Sequence, residues 1–168
     1  MPDNHDMAPI MSDLLTELIA TFPPMPIEPA IFASPRWSWN EYHRAKQFQA
    51  STVGRSWSTL IPELVEIHEF APGHMDPVVF ATFIPAYLAF HLRGEMLEQT
   101  PLQLTRLPGE EVQFDARVAY LSAAQRAVIA RVLEALAHDD HFILYRPELI
   151  TALGCWRAAP TPPGTVSA

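Results

Sequence analysis

Two short runs gather the residue types that hold metals or move protons. His138-Asp139-Asp140-His141 puts two imidazoles and two carboxylates side by side. These are good ligands for Zn, Mn or Fe, and neighbours at a helix end can converge. The run also contains a His-Asp pair like that of helical metal phosphohydrolases, so His138, Asp139 and His141 are the ligand candidates of a metal-dependent hydrolase. Against this, adjacent positions cannot all face one ion from a regular helix. The pattern also offers no matching upstream histidine or downstream aspartate. The plainer reading is a polar helix end.

His68, Glu69, His74 and Asp76 form the second run, split by Pro72-Gly73. It lacks the His-Glu-x-x-His spacing that sets two imidazoles over one ion, and reads as a solvated loop. His91 falls at the edge of an apolar helix face, the usual place for a hydrogen-bonding core histidine. The chain has no Gly-x-Ser-x-Gly elbow and no glycine-rich phosphate loop. Its one cysteine, Cys155, would be a nucleophile only beside a base. The expectation is a protein with no catalytic residue and no cofactor.

The elements that would position such groups are helical. Ser12 reads as the cap of a short helix with Leu14, Leu15, Leu18, Ile19 and Phe22 on one face. Pro23, Pro24, Pro26 and Pro29 then force an extended arm, whose Met25, Ile27, Ile31 and Phe32 predict that it lies against the body. Ser38-Trp39-Asn40-Glu41 is a capping box, with Trp37 placed to staple onto Tyr42, and its helix should reach about Ala50. After Gly54 and Trp57–Leu60, Pro62 opens a short helix with Leu64, Ile67 and His68 inward and Glu63 and Glu66 outward.

Asp76 as cap and Pro77 at the first helical position predict a central helix to Leu92. One side of it is large (Val79, Phe80, Phe83, Ile84, Tyr87, Phe90). The other is small (Ala81, Thr82, Ala86, Ala89), which would let a neighbour approach closely. Pro85 inside it removes a backbone hydrogen bond and predicts a kink. Phe114, Val118 and Leu121 mark another short helix. Ser122-Ala123-Ala124-Gln125 is a second capping box, before a helix with Val128, Ile129, Val132, Leu133 and Leu136 on one face and Arg126, Arg131 and Glu134 opposite. Pro147–Leu153 closes the series, ended by Gly154 with Trp156 beyond. No run alternates as a strand does. The fold expected is all-α, a single compact domain of six or seven helices around the central one. Residues 1–36 form an N-terminal helix and arm, 37–157 the helical domain, and 158–168 a tail.

Several of these features together resemble a family of small bacterial all-helical proteins of unknown function. The resemblance rests on Trp39 and Tyr42, on Trp57-Ser58-Thr59-Leu60, on Phe80-x-x-Phe83-Ile84-Pro85-Ala86-Tyr87-Leu88 and on Leu121-Ser122-x-x-Gln125. It covers residues 37–137 and implies a helical domain without any chemistry.

Composition narrows the function further. The 168 residues are 49% apolar, enough for a buried core in one domain, and a single cysteine excludes a disulfide framework. Eleven basic against nineteen acidic residues give a net charge of −8. Such a surface repels nucleic acid and anionic lipid, whose binding depends on Lys and Arg. It steers instead toward basic surfaces. The first eleven residues contain Asp3 and Asp6 and no basic cluster, unlike a secretory leader. The longest uncharged apolar run, Pro77–Leu92, is sixteen residues, below the roughly 20 needed to span a bilayer. A cytoplasmic setting is expected.

The functional expectation is a non-enzymatic protein-binding module with a basic partner, for instance an immunity-type protein neutralising a basic toxin. The metal-dependent hydrolase is the alternative. Candidate contact residues are Glu63, Glu66, Glu69 and Asp76 on one side of the central helix in sequence, and Glu110 and Glu111 on the other. Exposed tryptophans would supply the apolar anchors.

Overall fold

The computed structural model describes residues 7–32, 39–67, 75–95 and 104–158, with the side chains of residues 31, 39–42, 44–45 and 65–67 outside that description. Among the described residues there are seven α-helices: α1 (Met7–Thr21), α2 (Trp39–Thr52), α3 (Pro62–Ile67), α4 (Pro77–Leu92), α5 (Glu111–Tyr120), α6 (Ala123–His138) and α7 (Arg146–Ala158). Short 3₁₀ turns occupy Pro29–Phe32, Trp57–Thr59 and Asp140–Tyr145. No strand occurs among these residues; the only extended pairing is an isolated bridge between Pro26 and Ser56. The all-α expectation holds.

Helix α4 is the hub. Asp76 stands at its N-cap and Pro77 at its first position, and the helix runs to Leu92 as the sequence predicts. Gly94 then takes φ +68°, a conformation open to glycine without a Cβ penalty. Every residue from Phe83 to Leu92 is buried, Pro85 included, and the helix continues as one element past the proline. It packs against α1, α5, α6 and both the Pro29–Phe32 and Trp57–Thr59 turns. On its large side Phe83 lies 4.7 Å from the Phe48 ring and 5.9 Å from that of Phe32. Phe80 stacks on Trp156 at 6.2 Å with planes 9° apart, and Phe114 meets the same indole edge-on.

The Ser122 capping box is complete, with its hydroxyl accepting from the Gln125 N–H and the Gln125 side chain accepting from the Ser122 N–H. Helix α6 buries the five apolar residues of its expected face. It packs on α7 and α1, and an Arg131–Glu17 ion pair closes the α1 contact.

Three local expectations are corrected. Helix α1 begins at Met7, five residues before Ser12, and its buried line is Met7, Met11, Leu14 and Leu18, with Ile19 exposed. Pro9 fits there because first-turn N–H groups have no intrahelical acceptor. Helix α7 continues through Gly154, so Trp156 lies within it, held by its packing and by an indole N–H bond to the Leu104 carbonyl at 2.9 Å. Arg126 is buried on α6, its guanidinium directed at the Val118 carbonyl. The Ser38 capping box, the Trp37 staple and the tail lie outside the described residues.

Candidate functional site

The His/Asp run resolves into separate local interactions. His138 closes α6, and its Nδ1 lies 2.7 Å from the Glu134 carbonyl of its own helix. Asp139 caps the following 3₁₀ turn: its Oδ1 accepts from the His141 N–H and contacts the His141 Nδ1, both at 2.9 Å. Asp140 pairs with Arg146. One ring nitrogen of each histidine is thus engaged locally, and no group of three His, Cys, Asp or Glu side chains among the described residues could hold a metal ion. His68, Glu69 and His74 lie outside the described residues. His91 is buried with its ring edge-on to Phe142. Cys155 is half-buried, and its Sγ accepts the Arg106 N–H at 3.4 Å.

The acidic candidates divide. The charges of Asp76, at the start of α4, and of Glu110, at the N-cap of α5, both act on one cation, Arg117. Burial pushes the Arg117 guanidinium below its ordinary range, and the charges of Glu110 and Asp76 oppose that shift. Its Nε–H donates to the Met75 carbonyl at 2.8 Å, and the guanidinium sits 5.7 Å from the Phe80 ring centroid. This is internal compensation: the two carboxylates offset the desolvation of a buried arginine. Glu111 turns back to accept the Gly109 N–H at 2.8 Å. Glu63 is exposed on α3. Glu66 and Glu69 fall outside what is described, the first as a side chain.

Two of the expected tryptophan anchors need correcting, while Trp37 and the Trp39 side chain lie outside the described residues. Trp57 and Trp156 are each 4% exposed, because both indoles are built into the core and give their N–H to backbone carbonyls.

A cleft that sequence reasoning did not assemble lies on the small side of α4. The arm after α1 passes over this side. It is fixed by the Trp57 indole donating to the Phe22 carbonyl at 3.0 Å and by Ile27 exchanging backbone bonds with Arg55 and Gly54. Gly54 takes φ +79° to make that turn. Between arm and helix remains an open space of about 220 Å³. Its walls are Phe22, Trp57, Ala81 and Pro85; Met25, 66% exposed, and Glu28 stand on the arm side. Two signals for it were in the sequence: an apolar arm expected to lie on the body, and a helix face of small residues. Nothing local said that the two would leave room between them.

The described cations are mostly spent on ion pairs: Arg93 with Glu95, Arg106 with Asp115, Arg131 with Glu17, Arg146 with Asp140 and Arg157 with Glu134. Glu28, Glu63 and Glu111 enter no ion pair among the described residues. No described helix is long and apolar enough to cross a membrane.

Compared with known proteins, the chain matches no family model, no curated protein and no solved structure.

Proposed function

We propose that this protein is a non-enzymatic binding module whose partner is a basic protein. The observation that carries the reading is the arrangement of charge. Five arginines are paired with acids on the protein's own surface. Glu28 and Glu63 are exposed and enter no ion pair among the described residues. An uncompensated acidic surface accelerates encounter with a basic one and is screened by salt. Neutralisation of a basic toxin by an immunity-type protein is the particular case that this chemistry suits.

Glu63→Lys/Glu111→Lys is the informative variant. Glu63 is exposed, whereas Glu111 also accepts the Gly109 N–H, so circular dichroism first checks that the variant keeps its helical fold. A tagged full chain should retain a basic protein from a lysate of its own organism at about 0.1 M salt and release it near 1 M, as the screening length falls from about 10 Å to about 3 Å. The double variant should retain much less. Retention that ignores both salt and charge reversal removes this reading.

A further inference from the structure

We propose that the cleft between the proline arm and α4 is an anchor site for an arginine side chain of a protein partner, an inference that rests on the reading of the protein as a binder of basic proteins.

Size comes first. At about 220 Å³ the cleft falls below the roughly 300–1,000 Å³ typical of cofactor and small-molecule sites. It suits a single long side chain entering from an interface.

The polar groups on its walls come second: acceptors dominate, beside the amide of Gln125, whose Oε1 already accepts the Ser122 N–H. Pro85 has no N–H to return to the Ala81 carbonyl four residues back, and both residues line the cleft. That carbonyl therefore lacks its usual helical donor on the cleft wall. The Thr82 hydroxyl, also in the lining, gives its proton to the Val78 carbonyl at 2.8 Å and keeps lone pairs to offer. Glu28 adds a carboxylate that no described cation pairs. The Glu28 carboxylate favours an occupant with positive charge, and the remaining acceptors favour one rich in donors.

The apolar walls come third. Pro23, Met25 and Pro26 give apolar faces on the arm side, and Pro85, itself buried, completes the apolar lining. A guanidinium is planar, carries five N–H donors and no acceptor, and is weakly hydrated, so it can lie on such faces while its edge reaches the carbonyl and the carboxylate. An ammonium is compact and strongly hydrated, and gains less from these walls. Phosphate and carboxylate ligands are repelled by Glu28.

The test titrates the ¹⁵N-labelled full chain with N-acetyl-arginine amide, N-acetyl-lysine amide and the neutral isostere N-acetyl-citrulline amide. A ligand of this size should bind with a dissociation constant of about 1 mM. Saturable shifts are expected at the amide signals of Met25, Glu28, Trp57 and Ala81 with arginine. Lysine should bind about three-fold more weakly, and citrulline should give none. Glu28→Gln should weaken arginine about five-fold, while Glu63→Gln leaves it unchanged. Equal response to lysine and arginine, shifts centred on Glu63 and Glu111, or no saturable shift overturns the proposal. A salt-sensitive partner retained by both wild type and Glu28→Gln removes the cleft alone. Arginine-specific shifts without any retained partner would remove the wider reading and leave the cleft as an arginine site.

Discussion

Two tryptophans perform the same task on different faces of α4 with different results. Trp57 gives its indole N–H to the Phe22 carbonyl and ties down the arm after α1; Trp156 gives its own to the Leu104 carbonyl and ties down the segment before α5. Beside Trp156 the space is filled by Phe80, Phe114 and the Arg117 guanidinium. Beside Trp57 the helix presents Ala81 and Pro85, and a cleft stays open. Charge follows the same division. On the filled side the charges of Asp76 and Glu110 act on a buried cation, whereas Glu28 on the open side pairs with no described cation. An acid in a sequence therefore says little about binding until its compensation is known, and compensation is tertiary.

The largest effect should come where the comparison is anchored. Phe83 has no exposed surface and packs on Phe48 and on Phe32 at the end of the arm. Phe83→Ala should cost about 3–5 kcal/mol in urea unfolding. A loss below about 1 kcal/mol would place the ring outside the core and undo the account of α4 as hub.

Next comes the filled side. Arg117→Met keeps much of the volume and removes the bond to the Met75 carbonyl, the cation over Phe80 and the charge between Asp76 and Glu110. We expect a loss of about 2–3 kcal/mol, larger at low salt because two carboxylates are then left to repel each other. A neutral or stabilising result, as buried ions replaced by apolar groups can give, would mean that apolar packing alone closes this side.

The two indoles provide the direct contrast. Trp57→Phe leaves the buried Phe22 carbonyl without its donor and should cost about 1–2 kcal/mol. Trp156→Phe loses an equivalent bond together with part of a stacked and an edge-on ring contact, and should cost more. Equal losses would show that the open side is packed as well as the filled one.

Much of this frame was legible along the chain. Asp76, Pro77 and Gly94 mark α4 with local signals, and Ser122 with Gln125 marks α6, because caps and helix-stop glycines act within one turn. Ser12 misled because an equally good local signal sits inside α1, a helix whose buried line starts at Met7. Gly154 misled because burial of Leu153 and Trp156 outweighs the roughly 1 kcal/mol that glycine costs a helix. The site was less legible. The sequence pattern singled out Asp76 and Glu110, which act on Arg117, and passed over Glu28; Arg117 follows Glu110 by two helical turns, but its burial and its nearness to Asp76 on another helix are set by docking. The proline arm and the small helix face were each visible; the space between them is a property of their docking.

The smallest effect separates the two kinds of carboxylate most cleanly. Glu28 is exposed and pairs with no described cation, so Glu28→Gln removes one negative charge from a chain of net −8 and should leave stability within about 0.5 kcal/mol, unchanged or slightly raised. Glu110 contributes attraction to a guanidinium that burial disfavours, so Glu110→Gln should lower stability, and lower it more at low salt. The two substitutions are chemically identical and lie on the two compared faces of one helix. Opposite signs in paired urea unfolding curves at two salt concentrations would place Glu110 within the fold and leave Glu28 available to a partner. If Glu28→Gln destabilises as Glu110→Gln does, Glu28 already has a partner inside the protein, and the contrast between the open and the filled side fails at its charge.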